Sequence, residues 1–63
     1  MKITRVSMFS GIERTLDINV TQEQLDDYES GTLLQVAFFN LPAAEREFIK
    51  TGITDAEWNE IFK

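Results

Sequence analysis

Apolar and polar positions alternate with a period of two in the first third of the chain and then repeat about every three and a half residues. That switch divides the 63 residues into a sheet part and a helical part. Residues 2 to 9 and 12 to 20 are rich in β-branched and apolar types, and Ser10-Gly11 between them is a turn signal. In the second run Leu16, Ile18 and Val20 fall on one face and Thr15, Asp17 and Asn19 on the other, which predicts a hairpin with one wet face. A two-residue loop would set Arg5 opposite Leu16 and Ile3 opposite Ile18, whereas a three-residue loop sets Val6 against Leu16. The second gathers Val6, Met8, Leu16, Ile18 and Val20 on one buried face and is the register expected.

After Val20 each helical segment carries its own start and stop signals. Thr21-Gln22-Glu23-Gln24 has the form of a capping box, Leu25 and Tyr28 share a face, and Gly31 closes the segment. Thr32 to Gln35 repeats the capping pattern ahead of Leu33 to Phe39, which is apolar nearly all round and predicts a helix at the centre of the molecule. Asn40-Leu41-Pro42 interrupts it, because proline disfavours helical geometry in the residue before it and suits the first turn of the next helix. A third helix over residues 42 to 50 should bury Leu41, Ala44, Phe48 and Ile49, with Gly52 as its stop. Thr54-Asp55-Ala56-Glu57 then caps a fourth, with Trp58, Ile61 and Phe62 as its expected inner face. The fold class that follows is α+β, an N-terminal β-hairpin packed against three to four short C-terminal helices in a single compact domain over residues 1–63.

Composition sharpens this picture. A chain of this length buries only about 60% of the surface its unfolded form exposes, and with no cysteine and no histidine it has neither disulfides nor the usual zinc ligands to staple it. The 43% hydrophobic content, seven aromatics included, supplies a globular core. The formal net charge of −5 disfavours phosphate backbones as direct partners. Lys2, Arg5 and Arg14 are the one basic group that could serve a nucleic-acid-binding hairpin, the alternative reading, although a solvated strand face accounts for them more simply. The longest apolar run, Val36 to Phe39, is far short of the roughly 20 residues that span a bilayer, so no membrane segment is expected. The first residues lack the apolar core and cleavage site of a signal peptide, and a cytoplasmic location is the expectation.

Candidate chemistry is sparse. Lys50-Thr51-Gly52 matches one β-lactamase tripeptide, but Ser-x-x-Lys and Ser-Asp-Asn are missing and Gly52 reads as a helix end. No glycine-rich phosphate loop or nucleophile elbow is present, and no cofactor is expected. Glu23, Asp26 and Asp27 lie along one edge of the first helix and Glu57 and Glu60 along the last. A carboxylate enzyme with Mg²⁺ would need two of these acids to converge on a cavity, so a solvated acidic stripe is the simpler reading. The two helices across Gly52 resemble a DNA-reading pair in outline only. The second begins Asp-Ala-Glu-Trp-Asn-Glu, which would turn carboxylates toward phosphates. Trp58 instead separates core closure from partner docking: buried it is an anchor, exposed it is a binding hot spot, and its stripe with Ile61 and Phe62 favours burial.

The stretch from Asn40-Leu41-Pro42 through Arg46-Glu47-Phe48-Ile49-Lys50-Thr51-Gly52-Ile53-Thr54 to Glu57-Trp58 resembles small accessory proteins of phage and prophage genomes, a group without an assigned activity. These carry Arg-Glu-Phe-Ile-x-Thr-Gly-Ile-Thr-x-x-Glu-Trp near the end of a short acidic chain, and the strand pair and Thr-x-x-Gln-Leu of the N-terminal half fit the same pattern. Pro42 stands where that pattern has a serine cap. The resemblance implies a phage-type accessory protein in the host bacterial cytoplasm and carries over no catalytic residue. The function expected is a non-enzymatic protein-interaction module that modulates a host or phage protein, such as a basic nucleic-acid-handling enzyme, through Asp26, Asp27, Glu57 and Glu60. A homodimer is a further expectation, because the first strand of the hairpin offers an open edge and the core is small.

Overall fold

In the computed structural model, which describes residues 1–62, β1 (Lys2–Val6) pairs antiparallel with β2 (Glu13–Asp17). Helices α1 (Gln22–Glu29), α2 (Leu34–Ala37), α3 (Ala43–Thr51) and α4 (Asp55–Ile61) follow, so the α+β class and the hairpin-then-helices order hold. The register differs from both expected ones. Ile3 stands opposite Leu16 and Arg5 opposite Arg14, and the connection spans residues 7 to 12. The cause is Ser7. Its buried hydroxyl accepts hydrogen bonds from the amides of Phe9 and Ser10, and its carbonyl accepts the Gly11 amide at 2.9 Å, so the turn begins three residues before Ser10-Gly11. Relative to the expected Val6–Leu16 pairing the shift is an odd number of residues, which moves every β1 side chain to the other face. Val6 and Met8 therefore face solvent, and Ile3 faces the core.

This register places two arginines opposite each other on the inner face, an arrangement that is unfavourable by itself. Each is drawn to a different helix. Arg5 Nε donates to the Ile49 carbonyl at 3.1 Å, near the end of α3 where the helix dipole favours a cation. Arg14 reaches Glu57 Oε1, in the first turn of α4, at 2.8 Å. The hairpin thus holds both C-terminal helices. Between them Gly52 caps α3 in the left-handed conformation, with φ 75°, and a Cβ there would overlap the Val6 carbonyl. Beside it Met8 donates its amide to the Thr51 carbonyl at 3.0 Å. The end of α3 therefore covers part of the β1 edge that was expected to be open, and among the described residues β2, at Glu13, Thr15 and Asp17, has no strand on its outer side.

The core gathers Ile3, Ile18, Val20, Ala37, Phe38, Leu41, Phe48 and Ile49, with Leu25, Tyr28 and Leu34 packed on its rim. Phe38 and Phe48 are sealed from solvent, and Tyr28 meets Phe38 at a ring distance of 5.5 Å. Full burial of such side chains stabilises the fold by roughly 1.5–3 kcal/mol each. The third helix behaves as its pattern predicts, with Leu41, Phe48 and Ile49 buried and Ala44 half-buried. The central helix does not. It is a single turn, Leu34–Ala37, without the Thr32 cap, and its apolar circumference is only half covered. Ala37 and Phe38 turn inward while Leu33, Val36 and Phe39 face water. One turn offers one packing face, so the residues at the other angular positions have nothing to bury against. The expected inner face of α4 is corrected in the same way: Glu57 is buried, Trp58 is half-buried, and Ile61 and Phe62 are exposed.

Candidate functional site

The four acids expected to bind a partner occupy different environments. Asp26 and Asp27 lie exposed on α1, where Asp26 accepts a hydrogen bond from Gln22 Nε2 one turn earlier. Glu60 is exposed on α4. Glu57, only 7% exposed, is turned inward. Its backbone amide is capped by the Thr54 hydroxyl, and its carboxylate accepts the Thr54 amide, so the Thr54-x-x-Glu57 capping box is complete. The same carboxylate also accepts the Ser7 hydroxyl at 3.2 Å and the Arg14 guanidinium at 2.8 Å. The Ser10 hydroxyl is the largest of the influences that hold this carboxyl below the usual carboxylate range, and burial, which opposes it, is outweighed with the help of Thr54, Ser7 and Arg14. Glu57 is therefore a joint between hairpin and helix and presents no outward contact. The cap signal that revealed it was legible in the sequence; its cross-chain partners Ser7 and Arg14 left no local trace.

The basic hairpin group is likewise divided. Arg5 and Arg14 share the inner face and are engaged by Ile49 and Glu57, whereas Lys2 lies on the outer face, opposite Asp17 in the strand register. The three cations expected for nucleic acid do not form one patch.

An open groove of about 440 Å³ runs between α3 and α4, lined by Ala43, Ala44, Glu47, Asp55, Trp58 and Phe62. Its shape follows from the helix pair. Gly52-Ile53-Thr54 turns the chain back, α3 contributes two small alanines, and α4 lays two aromatics across them. Trp58 and Phe62 stack with ring centroids 5.4 Å apart and an interplanar angle of 8°, one turn apart on the helix. The lining holds two carboxylates, the arrangement that an acid-dependent enzyme would need, but the other four residues are apolar. Among the described residues no group of three or more Asp or Glu is placed to hold a metal ion. A second groove of similar volume lies where the α1–α2 turn meets Lys50. None of the alanines or Glu47 stood out in the sequence as site residues; the signal available was the Ala43-Ala44 pair one helix away from an aromatic pair.

No helix among the described residues is long and apolar enough to cross a membrane. Compared with known proteins, the chain matches no family model, no curated protein sequence and no solved structure.

Proposed function

We propose that this chain is a non-enzymatic protein-interaction module, a phage-type accessory protein that acts in the bacterial cytoplasm by binding a host or phage protein and altering its activity. The observation that carries this reading is the apolar surface left uncovered in so small a chain. Phe39 and Phe62 are each 77% exposed, and Leu33, Val36 and Met8 are exposed as well. Large apolar side chains in contiguous exposed groups mark interaction surfaces. The charge around them supports a basic partner: the chain is acidic overall, and Asp26, Asp27 and Glu60 are outward-facing. The nucleic-acid alternative draws no support from the divided positions of Lys2, Arg5 and Arg14.

The test is a tagged pull-down from bacterial lysate, with and without nuclease, using the natural chain and an Asp26→Lys, Asp27→Lys, Glu60→Lys variant. Glu57 is left intact because it holds the fold. A protein retained after nuclease treatment and lost with the variant is the expected result. Recovery that depends on nucleic acid would replace this reading with the alternative.

A further inference from the structure

The groove between α3 and α4 combines a sticky floor with an uncompensated charge. Trp58 and Phe62 form one stacked aromatic surface, and Ala43 and Ala44 leave space beside it that larger side chains would fill. Trp is among the residue types that most often dominate binding energy, because it supplies a large area with few rotatable bonds. The rim adds direction. Glu47 and Asp55 are the charged groups in the lining, and among the described residues neither carboxylate has an ion pair or a side-chain hydrogen bond. Glu57, two residues from Asp55, shows what a satisfied carboxylate looks like here, with a guanidinium at 2.8 Å. The second groove, by contrast, already contains a cation, Lys50.

An occupant of the α3–α4 groove would cover the aromatics and at the same time remove water from Glu47 and Asp55. A purely apolar segment would leave those two charges desolvated and unpaired, which is costly. A cation delivered beside the apolar anchor converts the same burial into charge-assisted hydrogen bonds. A second copy of this acidic chain would bring further carboxylates to the site, so charge complementarity selects a basic partner. We infer that this groove receives a short amphipathic segment of a basic partner protein, seating one bulky apolar side chain against Trp58 and Phe62 and placing Lys or Arg against Glu47 and Asp55. The inference rests on the interaction-module reading and names the site and the chemistry of what it binds.

Trp58 is the chain's one tryptophan, so its emission reports on the groove directly. The experiment titrates the full chain with a short tryptophan-free Leu/Lys amphipathic helical peptide carrying a label for anisotropy, and with a peptide in which Glu replaces Lys. It is repeated on E47Q/D55N, on E13Q/E29Q, which removes equal charge elsewhere on the surface, and on D26N/D27N, each checked for folding by circular dichroism. The expected result is a Trp58 emission shift with the Lys peptide alone, an affinity about tenfold weaker in E47Q/D55N, equivalent to about 1.4 kcal/mol, and no loss in E13Q/E29Q. Binding that is weakened by D26N/D27N and indifferent to E47Q/D55N, with Trp58 emission unchanged, would overturn the groove while keeping the module. Absence of peptide binding would also overturn the groove, and the lysate pull-down then decides the broader reading by itself.

Discussion

Helices α1 and α4 begin with the same local device and use it differently. Thr21 caps α1 and Gln24 returns to the Thr21 amide; Thr54 caps α4 and Glu57 returns to the Thr54 amide. Gln24 is neutral, and its spare amide hydrogens go to the Ala37 carbonyl and to Asn40, whose own amide reaches the Asn19 carbonyl. That set ties α1 to the end of α2 and to the segment after β2 with neutral bonds only. Glu57 is charged, and the hairpin supplies Arg14 and Ser7 to meet it. The difference teaches that a capping motif fixes where a helix starts, while the identity of the third residue decides what else the helix start can hold.

The comparison can be pressed hardest at two glycines, Gly31 just after capped α1 and Gly52 just before capped α4. Gly52→Ala should cost about 2–4 kcal/mol, because a side chain there is strained at positive φ and also overlaps the Val6 carbonyl. Gly31→Ala, where nothing stands within 4 Å, should cost only the backbone strain, about 1–2 kcal/mol. Urea unfolding of the two variants measures the difference, and equal losses would mean that the close approach to β1 carries no energy. Next in size is Glu57→Gln, which keeps a capping side chain and removes the charge. It should destabilise more than Gln24→Glu and should change the pH dependence. The Glu57 carboxyl is held below its ordinary value of 4.5, so its contribution is fully present above that value and is lost as pH falls through the lowered one. The natural chain should therefore lose stability below about pH 4.5 more steeply than Glu57→Gln, as thermal melts across that range would show.

Smaller again, Thr21→Ala should cost about 1 kcal/mol through the lost cap. Thr54→Ala should exceed it, since Thr54 also fixes the Glu57 carboxylate that Arg14 meets; chemical denaturation that ranks them the other way would make the α4 cap purely local. Smallest is Asp26→Asn, whose exposed side chain accepts a hydrogen bond from Gln22. A change within about 0.5 kcal/mol is expected by the same measurement.

What the sequence disclosed and what it withheld follow the same division between local and distant causes. The caps at Thr21 and Thr54, the stop at Gly52 and the buried faces of Phe48 and Ile49 were legible because each is decided within one or two turns of chain. The hairpin register was not, because Ser7 starts the turn early and its burial depends on a helix fifty residues away. The exposure of Leu33, Val36 and Phe39 was hidden for a related reason: hydropathy describes a segment's tendency to be covered, not whether the rest of a small chain has surface left to cover it. At the candidate site the helical stripe of Trp58, Ile61 and Phe62 favoured burial of Trp58, and the side chain is half-buried, with Ile61 and Phe62 exposed. Its neighbours Ala43, Ala44 and Glu47 belong to another helix and carry no chemistry by themselves.

The contacts between the end of α3 and β1 also bear on the order in which the molecule can assemble. A two-stranded hairpin is marginal alone in water, and here Arg5 and the β1 side of the hairpin are held by the end of α3, through the Ile49 and Thr51 carbonyls and the close approach of Gly52. In a chain made from its N-terminus, the segment that appears first must wait for one made more than forty residues later before it is secured. Until then β1 is a strand with an unclaimed edge, and the end of α3 acts as the clasp that closes it.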